Sequence, residues 1–452
     1  MTKTALMRRT GWMGRLRIGR SAGAVVALLL VGVAVDARAA DVSPPGRSVR
    51  SAADATTVPA QSVRPGTHPA PWVGAWTTAL TPPGSSGQSA EGFTDRTLRM
   101  IVHLSAGGDQ FRLRFSNAYG ERPLDIGPVT VARRAKDAAV VPGTLRRATF
   151  LHEPSTTVPI GAEAVTDPVR LSVRSDTDLV VSFRLPTATG PTTWHPWASQ
   201  TSYISGSGDH TADESGAAFP GRTTSWFFLR AVDVAGARAA GTVVAFGDSI
   251  TEGGATTADA NRRWPDVLSR RLAQLPPSQR LSVVNAGIGG NRLLTDAGPT
   301  GAGANNLGRS AESRFDRDAL TLPGVRGVIV SLGNNDLGSN AGVHPGEPLT
   351  ASQLIAGFGR LAARARAAGA RVHLATITPN GKLDARAEEI RTEVNQWIRS
   401  NDADGSVIDF DAAVRDPADP HRLLPAYNSG DTVHPNDAGL RAMADSVRLS
   451  TL

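Results

Sequence analysis

The hydrophobic pattern of this chain changes once, near Gly241, and that change limits the fold more than any other feature. Between Trp72 and about Val234 the apolar residues come in short runs broken by Gly, Pro, Asp and Asn. Phe111-Arg112-Leu113-Arg114-Phe115 alternates apolar and charged side chains, the period of a half-buried strand. Leu98–Leu104, Val169–Val173, Leu179–Leu185 and Trp226–Val234 read the same way, with no helical period between them. Short strands punctuated by turn signals predict an all-β sandwich of jelly-roll type. After Gly241 the apolar runs become continuous, as in strands buried on both faces: Val243–Phe246, Leu281–Asn285, Gly327–Leu332, Arg371–Thr376 and Val407–Phe410. Helical periods separate them at Trp264–Leu275, Arg309–Leu320, Thr350–Ala368 and Ala385–Arg399. Strands alternating with helices predict a parallel sheet covered on both sides, with ligands outside the carboxyl ends of the strands. The expected fold class is therefore α/β, a three-layer α/β/α domain over residues 240–452, preceded by an all-β sandwich over 71–236.

A chain of 452 residues exceeds one ordinary domain, and 40% hydrophobic against 20% charged residues is enough to build real cores. The absence of cysteine excludes a disulfide scaffold, thiolate metal sites, iron–sulfur clusters and thiol catalysis. The net charge of +7 is misleading, because residues 1–40 hold seven basic side chains against one acid and leave only +1 for the other 412 residues. That is no footprint for a polyanion, so nucleic acid is not an expected partner. The basic start is followed by the uncharged run Ala22–Val35, which as a helix rises about 21 Å, short of the ~30 Å hydrocarbon core. Ala37-Arg38-Ala39 then offers small residues at a cleavage site, so residues 1–39 read as a signal peptide and the mature protein as secreted, without stable membrane insertion. The alternative for this segment is an uncleaved anchor. Residues 40–70 are mostly Pro, Ser, Arg, Ala and Thr and read as a disordered linker.

The ends of the predicted parallel strands carry the chemistry. The first runs into Gly247-Asp248-Ser249-Ile250, a tight turn that exposes a hydroxyl where a helix begins. Thr251 occupies the second glycine position of a Gly-x-Ser-x-Gly elbow, which weakens the α/β-hydrolase alternative. The second ends in Asn285-Ala286-Gly287-Ile288-Gly289-Gly290-Asn291, where Arg292 breaks a dinucleotide fingerprint. The third ends in Gly333-Asn334-Asn335-Asp336, whose side-chain amide can donate to a developing oxyanion, as can a backbone N–H of the Gly290 turn. Near the C-terminus, Asp431-Thr432-Val433-His434-Pro435 spaces a carboxylate to orient an imidazole as general base. His195, His210, His344 and His421 lie in polar loops and read as surface residues. No P-loop, H-E-x-x-H or Cys/His ligand spacing competes, and neither a metal nor an organic cofactor is implied.

Taken in order, these four segments resemble the blocks of the SGNH hydrolases, the GDSL family of serine esterases and lipases. The resemblance implies a flavodoxin-like catalytic domain with Ser249 as nucleophile, His434 as base and Asp431 as its orienting carboxylate. It also implies an oxyanion hole of the Ser249 N–H, the Gly290 N–H and the Asn335 amide. Upstream, Trp72–Trp76, Thr97–Arg99, Phe115–Gly120 and Gln200–Tyr203 resemble the β-domain of secreted two-domain GDSL esterases, some of them linked to xylan-degrading systems. Asp248, Trp194 and Trp197 are candidate substrate contacts. The activity expected is hydrolysis of short-chain acyl esters, small-molecule or acetylated polysaccharide. A lipase or lysophospholipase acting on longer chains, or a secreted carbohydrate-binding protein without catalysis, are the alternatives.

Overall fold

Strands with no polar face must be covered twice, and the second half of the chain meets that requirement. A four-stranded parallel sheet runs in the order Ser282–Gly287, Thr242–Gly247, Val325–Ser331, Arg371–Leu374. The Thr242–Gly247 strand is interior, paired on both sides and wholly buried. Its side chains alternate between two cores, as the pleat demands. Val244 and Phe246 pack against the helices Ala311–Phe315, Ala351–Ala367 and Ala385–Ser400. Val243 and Ala245 pack against Trp264–Ala273, Phe410–Val414 and Asp437–Ser446. The helices thus lie on both faces. The Val407–Phe410 run, expected as a fifth strand, contributes only the parallel bridge Ala375–Ile408 before the chain turns into a helix. The computed structural model describes residues 72–298, 307–340, 342–344, 346–402 and 405–452. The signal peptide expected over 1–39 and the linker over 40–70 lie outside the described residues.

The alternating runs of the first half form two antiparallel sheets. One is ordered Val73–Thr77, Leu229–Ala235, Gly108–Ser116, Glu163–Val165, with Val169–Val173 also paired to Gly108–Ser116. The other contains Gly221–Thr223, Ser202–Ser207, Arg96–Leu104, Thr177–Leu185, Val129–Arg133 and Arg146–Ala148 in that order. Leu98, Met100 and Val102 of one and Phe111, Leu113 and Phe115 of the other share a single core. The Trp226–Val234 run is not one strand. Phe228 has φ +59°, which turns the chain, so Trp226–Phe227 pairs with Trp194–His195 while Leu229–Ala235 joins the other sheet.

The β-rich part is built onto the parallel sheet. The Gly74 N–H donates to Thr242 Oγ1 at 2.9 Å, and Ala79 and Ala231 enter the core on one face of that sheet. Arg317 reaches across to Tyr119 Oη at 2.6 Å and to the Leu80 carbonyl at 3.2 Å. Its guanidinium is held by the buried Asp318, which also lies 3.3 Å from Arg314. Removing one partner of a buried ion pair leaves an uncompensated charge, a loss of about 3–5 kcal/mol. Asp318→Ala is expected to lose stability on that scale in urea unfolding followed by tryptophan fluorescence, and a loss under about 1 kcal/mol would contradict the role given to Asp318 here.

Candidate active site

The Thr242–Gly247 strand delivers Ser249 through a tight turn. Asp248 caps the short helix Ser249–Glu252, its Oδ1 accepting the Ile250 N–H at 3.0 Å. The neighbouring strand Ser282–Gly287 delivers the Gly289–Gly290 turn, in which Gly290 has φ +73°, a conformation that favours a residue without Cβ. The third strand delivers the helix Asn334–Ser339. Its second and third residues are tied to the Gly290 turn. Asn335 Nδ2 donates to the Asn291 carbonyl at 3.1 Å, and the Asp336 carboxyl accepts from the Leu293 N–H at 2.8 Å and the Leu294 N–H at 3.1 Å.

The C-terminal segment closes the arrangement. Ser249 Oγ lies 2.8 Å from His434 Nε2, and His434 Nδ1 lies 2.5 Å from Asp431 Oδ2. The carboxylate can only accept, so the Nδ1 proton faces it and Nε2 is left free toward the serine. The other Asp431 oxygen accepts the backbone N–H groups of His434 at 2.8 Å and Val433 at 2.9 Å. Partial burial raises the Asp431 carboxyl, but the hydrogen bonds from His434 and Val433 outweigh it and hold it well below the usual carboxylate range. Ser249, Gly290, Asn335 and His434 are each partly exposed, so this chain of groups is open to solvent on one side.

Three sequence expectations are corrected. Trp194 is no substrate contact: it is buried, stacked on Phe227 at 5.8 Å between ring centres, with Nε1–H donating to the Pro82 carbonyl at 2.9 Å. Asp248 is buried under the turn as a helix cap and presents nothing to a substrate. His195 is no surface residue: its side chain is 3% exposed, with Nδ1 2.8 Å from the Ala79 carbonyl oxygen. Trp197, by contrast, is 41% exposed and lies against Gly289, beside the oxyanion turn expected from the sequence. His344 and His421 are exposed, and His210 is half-buried against Asp213.

Residues 245–442 match the family model of the GDSL-like lipases and acylhydrolases. The chain carries a GDSL-like hydrolase domain. It is accordingly a carboxylic ester hydrolase. No curated protein matches the chain. Among solved structures, the acetyl xylan esterase AlAXEase is 21% identical, with 45% of this chain and 96% of that chain covered and a TM-score of 0.33. A carbohydrate acetylesterase family member from Sinorhizobium meliloti is 19% identical, covering 46% and 94% with a TM-score of 0.34. The aryl esterase of M. smegmatis is 17% identical, covering 46% and 95% with a TM-score of 0.34.

The hydrolase domain holds its strand ends with a residue that sequence reading passed over. Arg314 is fully buried and donates to the Gly247 carbonyl at 2.8 Å, the Ala286 carbonyl at 2.9 Å and Asn291 Oδ1 at 2.9 Å. A signal was present. Ala311, Arg314, Phe315 and Asp318 fall at helical spacing on one face, so an arginine and an aspartate four apart had to share a buried stripe.

Burial also raises two acids beneath this site. It pushes the Asp248 carboxyl up to about 7, against the pull of the Ile250 N–H, and the Asp336 carboxyl up to about 6, against the Leu293 and Leu294 N–H groups. For Asp248 the sign follows directly. Between about pH 4 and about pH 7 the unfolded chain has lost this proton while the folded enzyme keeps it, so folding stability from this group falls as pH rises. Asp248→Asn retains an acceptor for Ile250 and cannot ionise. Its stability relative to the natural enzyme is expected to rise across that window, by at most about 4 kcal/mol, and to level off above it. Urea midpoints from pH 4.5 to 8 test this, and a difference that does not vary with pH would refute it.

Proposed function

We propose that the hydrolase is a serine esterase for short acyl groups, working through Ser249, His434 and Asp431. The observation that carries this reading is the unbroken sequence of short contacts from Ser249 Oγ to His434 Nε2 at 2.8 Å and from His434 Nδ1 to Asp431 at 2.5 Å. His434 takes the hydroxyl proton as Ser249 Oγ forms its bond to the ester carbonyl carbon. The carbonyl π electrons move onto oxygen, and the oxyanion is met by the backbone N–H groups of Ser249 and Gly290 and by the Asn335 amide. Collapse breaks the bond to the alkoxy oxygen, which leaves as the alcohol with the proton from His434. Water then repeats the sequence: it gives a proton to His434, adds to the acyl carbon, and the acid departs as Ser249 recovers its proton. Asp431, held ionised, keeps Nδ1–H in place and stabilises the imidazolium of each half-reaction.

The acyl preference rests on the surroundings. A long chain needs a continuous apolar wall. Among the described residues, the well-exposed large apolar side chains are Leu151, Ile160, Val165, Trp197 and Val343, of which Trp197 is the one in contact with the Gly289 turn. A single indole beside an open serine suits a small acyl group on a bulky alcohol, a sugar ring included, better than a fatty chain. We further propose that the basic and apolar start of the chain directs export, which would bring acetylated polysaccharide within the enzyme's reach.

Residues 41–452 and the Ser249→Ala and Asn335→Ala variants, assayed on p-nitrophenyl esters from acetate to palmitate, test the reading. Turnover is expected to be highest on acetate, to fall with Ser249→Ala to the residual rate left by binding and the oxyanion hole, and to lose about 10²–10³ in kcat with Asn335→Ala. A maximum at palmitate would point to lipids. Ester turnover undiminished by Ser249→Ala would remove the serine mechanism.

A further inference from the structure

Behind the nucleophile turn lies a buried charge that the mechanism does not use. Glu252 ends the helix that Ser249 begins, and its side chain is 2% exposed. Neither carboxylate oxygen has a well-aligned donor. One of them, Oε1, lies 3.1 Å from Nε2 of His195, the separation of an ion pair, although the direction is not that of a good hydrogen bond. The other, Oε2, approaches Gly289 so closely that a Cβ there would stand 2.7 Å from it, while Trp197 closes the same position at 2.6 Å. Gly289 is thus gripped between a carboxylate and an indole. Its neighbour Gly290 is one of the three oxyanion donors of the proposed reaction.

His195 is placed to answer that charge. Both of its ring nitrogens face oxygens that accept, the Ala79 carbonyl at 2.8 Å on Nδ1 and Glu252 on Nε2. A ring with a proton on each nitrogen is the form that meets both. The ring is held against Trp226, 5.5 Å between centres, in the β-rich part of the chain. The segment that carries it continues the grip on the loop after the nucleophile. Ser199 Oγ lies 3.4 Å from the Gly253 carbonyl, Arg263 donates to the Ala198 carbonyl, and Asp259 accepts from Gln200 Nε2 at 2.6 Å and Thr201 Oγ1 at 2.7 Å. A cavity of about 40 Å³ lies alongside, lined by His195, Gln200, Glu252 and Asn285, with room for ordered water on the remaining unpartnered oxygens.

We propose that His195 and Glu252 form a positioning couple. Glu252 sets the Gly289–Gly290 turn against the Ser249 helix, and His195 cancels the charge that Glu252 brings to the edge of the oxyanion hole. The inference rests on the serine-esterase reading of the same site. Its physical content is that a bare carboxylate beside Gly289 opposes the negative charge that develops on the substrate oxygen, and opposes it only in the transition state. The β-rich part then supplies one member of the couple that sets the charge beside Gly289, rather than a detachable binding surface. Neither residue touches substrate.

The test uses the full chain, with kcat and KM measured on p-nitrophenyl acetate for the natural enzyme, His195→Gln, Glu252→Gln and the double variant. His195→Gln is expected to lower kcat about tenfold with KM unchanged within about twofold, the order expected for one uncompensated charge close by at an effective dielectric constant of about 20. Adding Glu252→Gln is expected to restore most of that loss, because it removes the charge His195 had balanced. If the two residues served packing alone, the second substitution would add damage instead of repairing it. A natural kcat in folded His195→Gln, or a double variant no faster than His195→Gln, overturns the proposal. Should His195→Gln fail to fold, Glu252→Asp decides. It keeps the charge and withdraws it from Gly289, and an unaltered kcat there overturns the proposal equally. Absence of Ser249-dependent turnover in the natural enzyme would instead sink the esterase reading on which the couple rests.

Discussion

One buried guanidinium holds the site's framework together. Carbonyl groups at the ends of the two strands that lead to Ser249 and Gly290 have room for a further donor, the Gly247 carbonyl already accepting the Ile288 N–H at 3.1 Å. Arg314 is that donor, with the flat face of its guanidinium over Phe246, 4.0 Å from the ring centre, and its N–H groups on Gly247, Ala286 and Asn291. Three parts of the site are thereby referred to one rigid plane: the end of the strand that leads to Ser249, the end of the strand that leads to Gly290, and the turn between Gly290 and Leu293. Lysine has no geometry that reaches three acceptors at fixed angles, so the residue type follows from the task. Burial lowers the guanidinium to about 10, partly offset by Asp318, and leaves it charged at any ordinary pH.

That framework explains why like groups behave differently within a small space. Asp248 and Asp336 lie under the turns, where burial outweighs the pull of His434 on the first and of Arg292 on the second and favours the neutral acid. Asp431 stands in the open turn beside His434, where an imidazole and two backbone N–H groups favour the anion. Position relative to the sheet decides which carboxyl is ionised. With their carboxyls raised, both acids bring less negative charge beneath the site than ordinary carboxylates would. That leaves Glu252 as the carboxylate needing a partner, and the partner comes from the β-rich part.

The division between what could and could not be read from the sequence follows from the range of each signal. Local periods were legible. Val169–Val173 forms a strand over the range its alternation implies, and Ala385–Ser400 and Ala351–Ala367 form helices close to their apolar repeats. The four motif segments are brought to one edge of the parallel sheet because each follows a strand or closes over its end. What failed was long-range. His195 and Trp194 sit in a stretch rich in Pro, Ser and Thr that looks like a surface loop, yet the pairing of Trp194–His195 with Trp226–Phe227 buries them. Trp226–Val234 reads as one strand because a positive φ at Phe228 leaves no mark in an apolar run. Arg314 shows both ranges at once: its spacing from Asp318 marks a buried stripe, but its bonds to the Gly247 and Ala286 carbonyls leave no mark in any side-chain pattern.

The Asp431–His434 turn shows a second way of holding a functional group in place. It is partly exposed, so burial cannot fix it as it fixes Arg314. Thr432, between the two, has φ +69°, a left-handed conformation that a β-branched residue adopts only under constraint. The constraint is visible on both sides of the peptide: the Thr432 N–H donates to Asn428 Oδ1 at 3.1 Å, and the Gly381 N–H donates to the Thr432 carbonyl at 2.9 Å. This twist turns the chain back, so that a carboxylate three residues upstream meets the ring nitrogen and the backbone N–H of the same histidine. An extended Thr432 would carry Asp431 away from the ring. Local strain therefore does for the exposed His434 what an interior cation does for the strand ends, and Ser249 lies where the two devices meet.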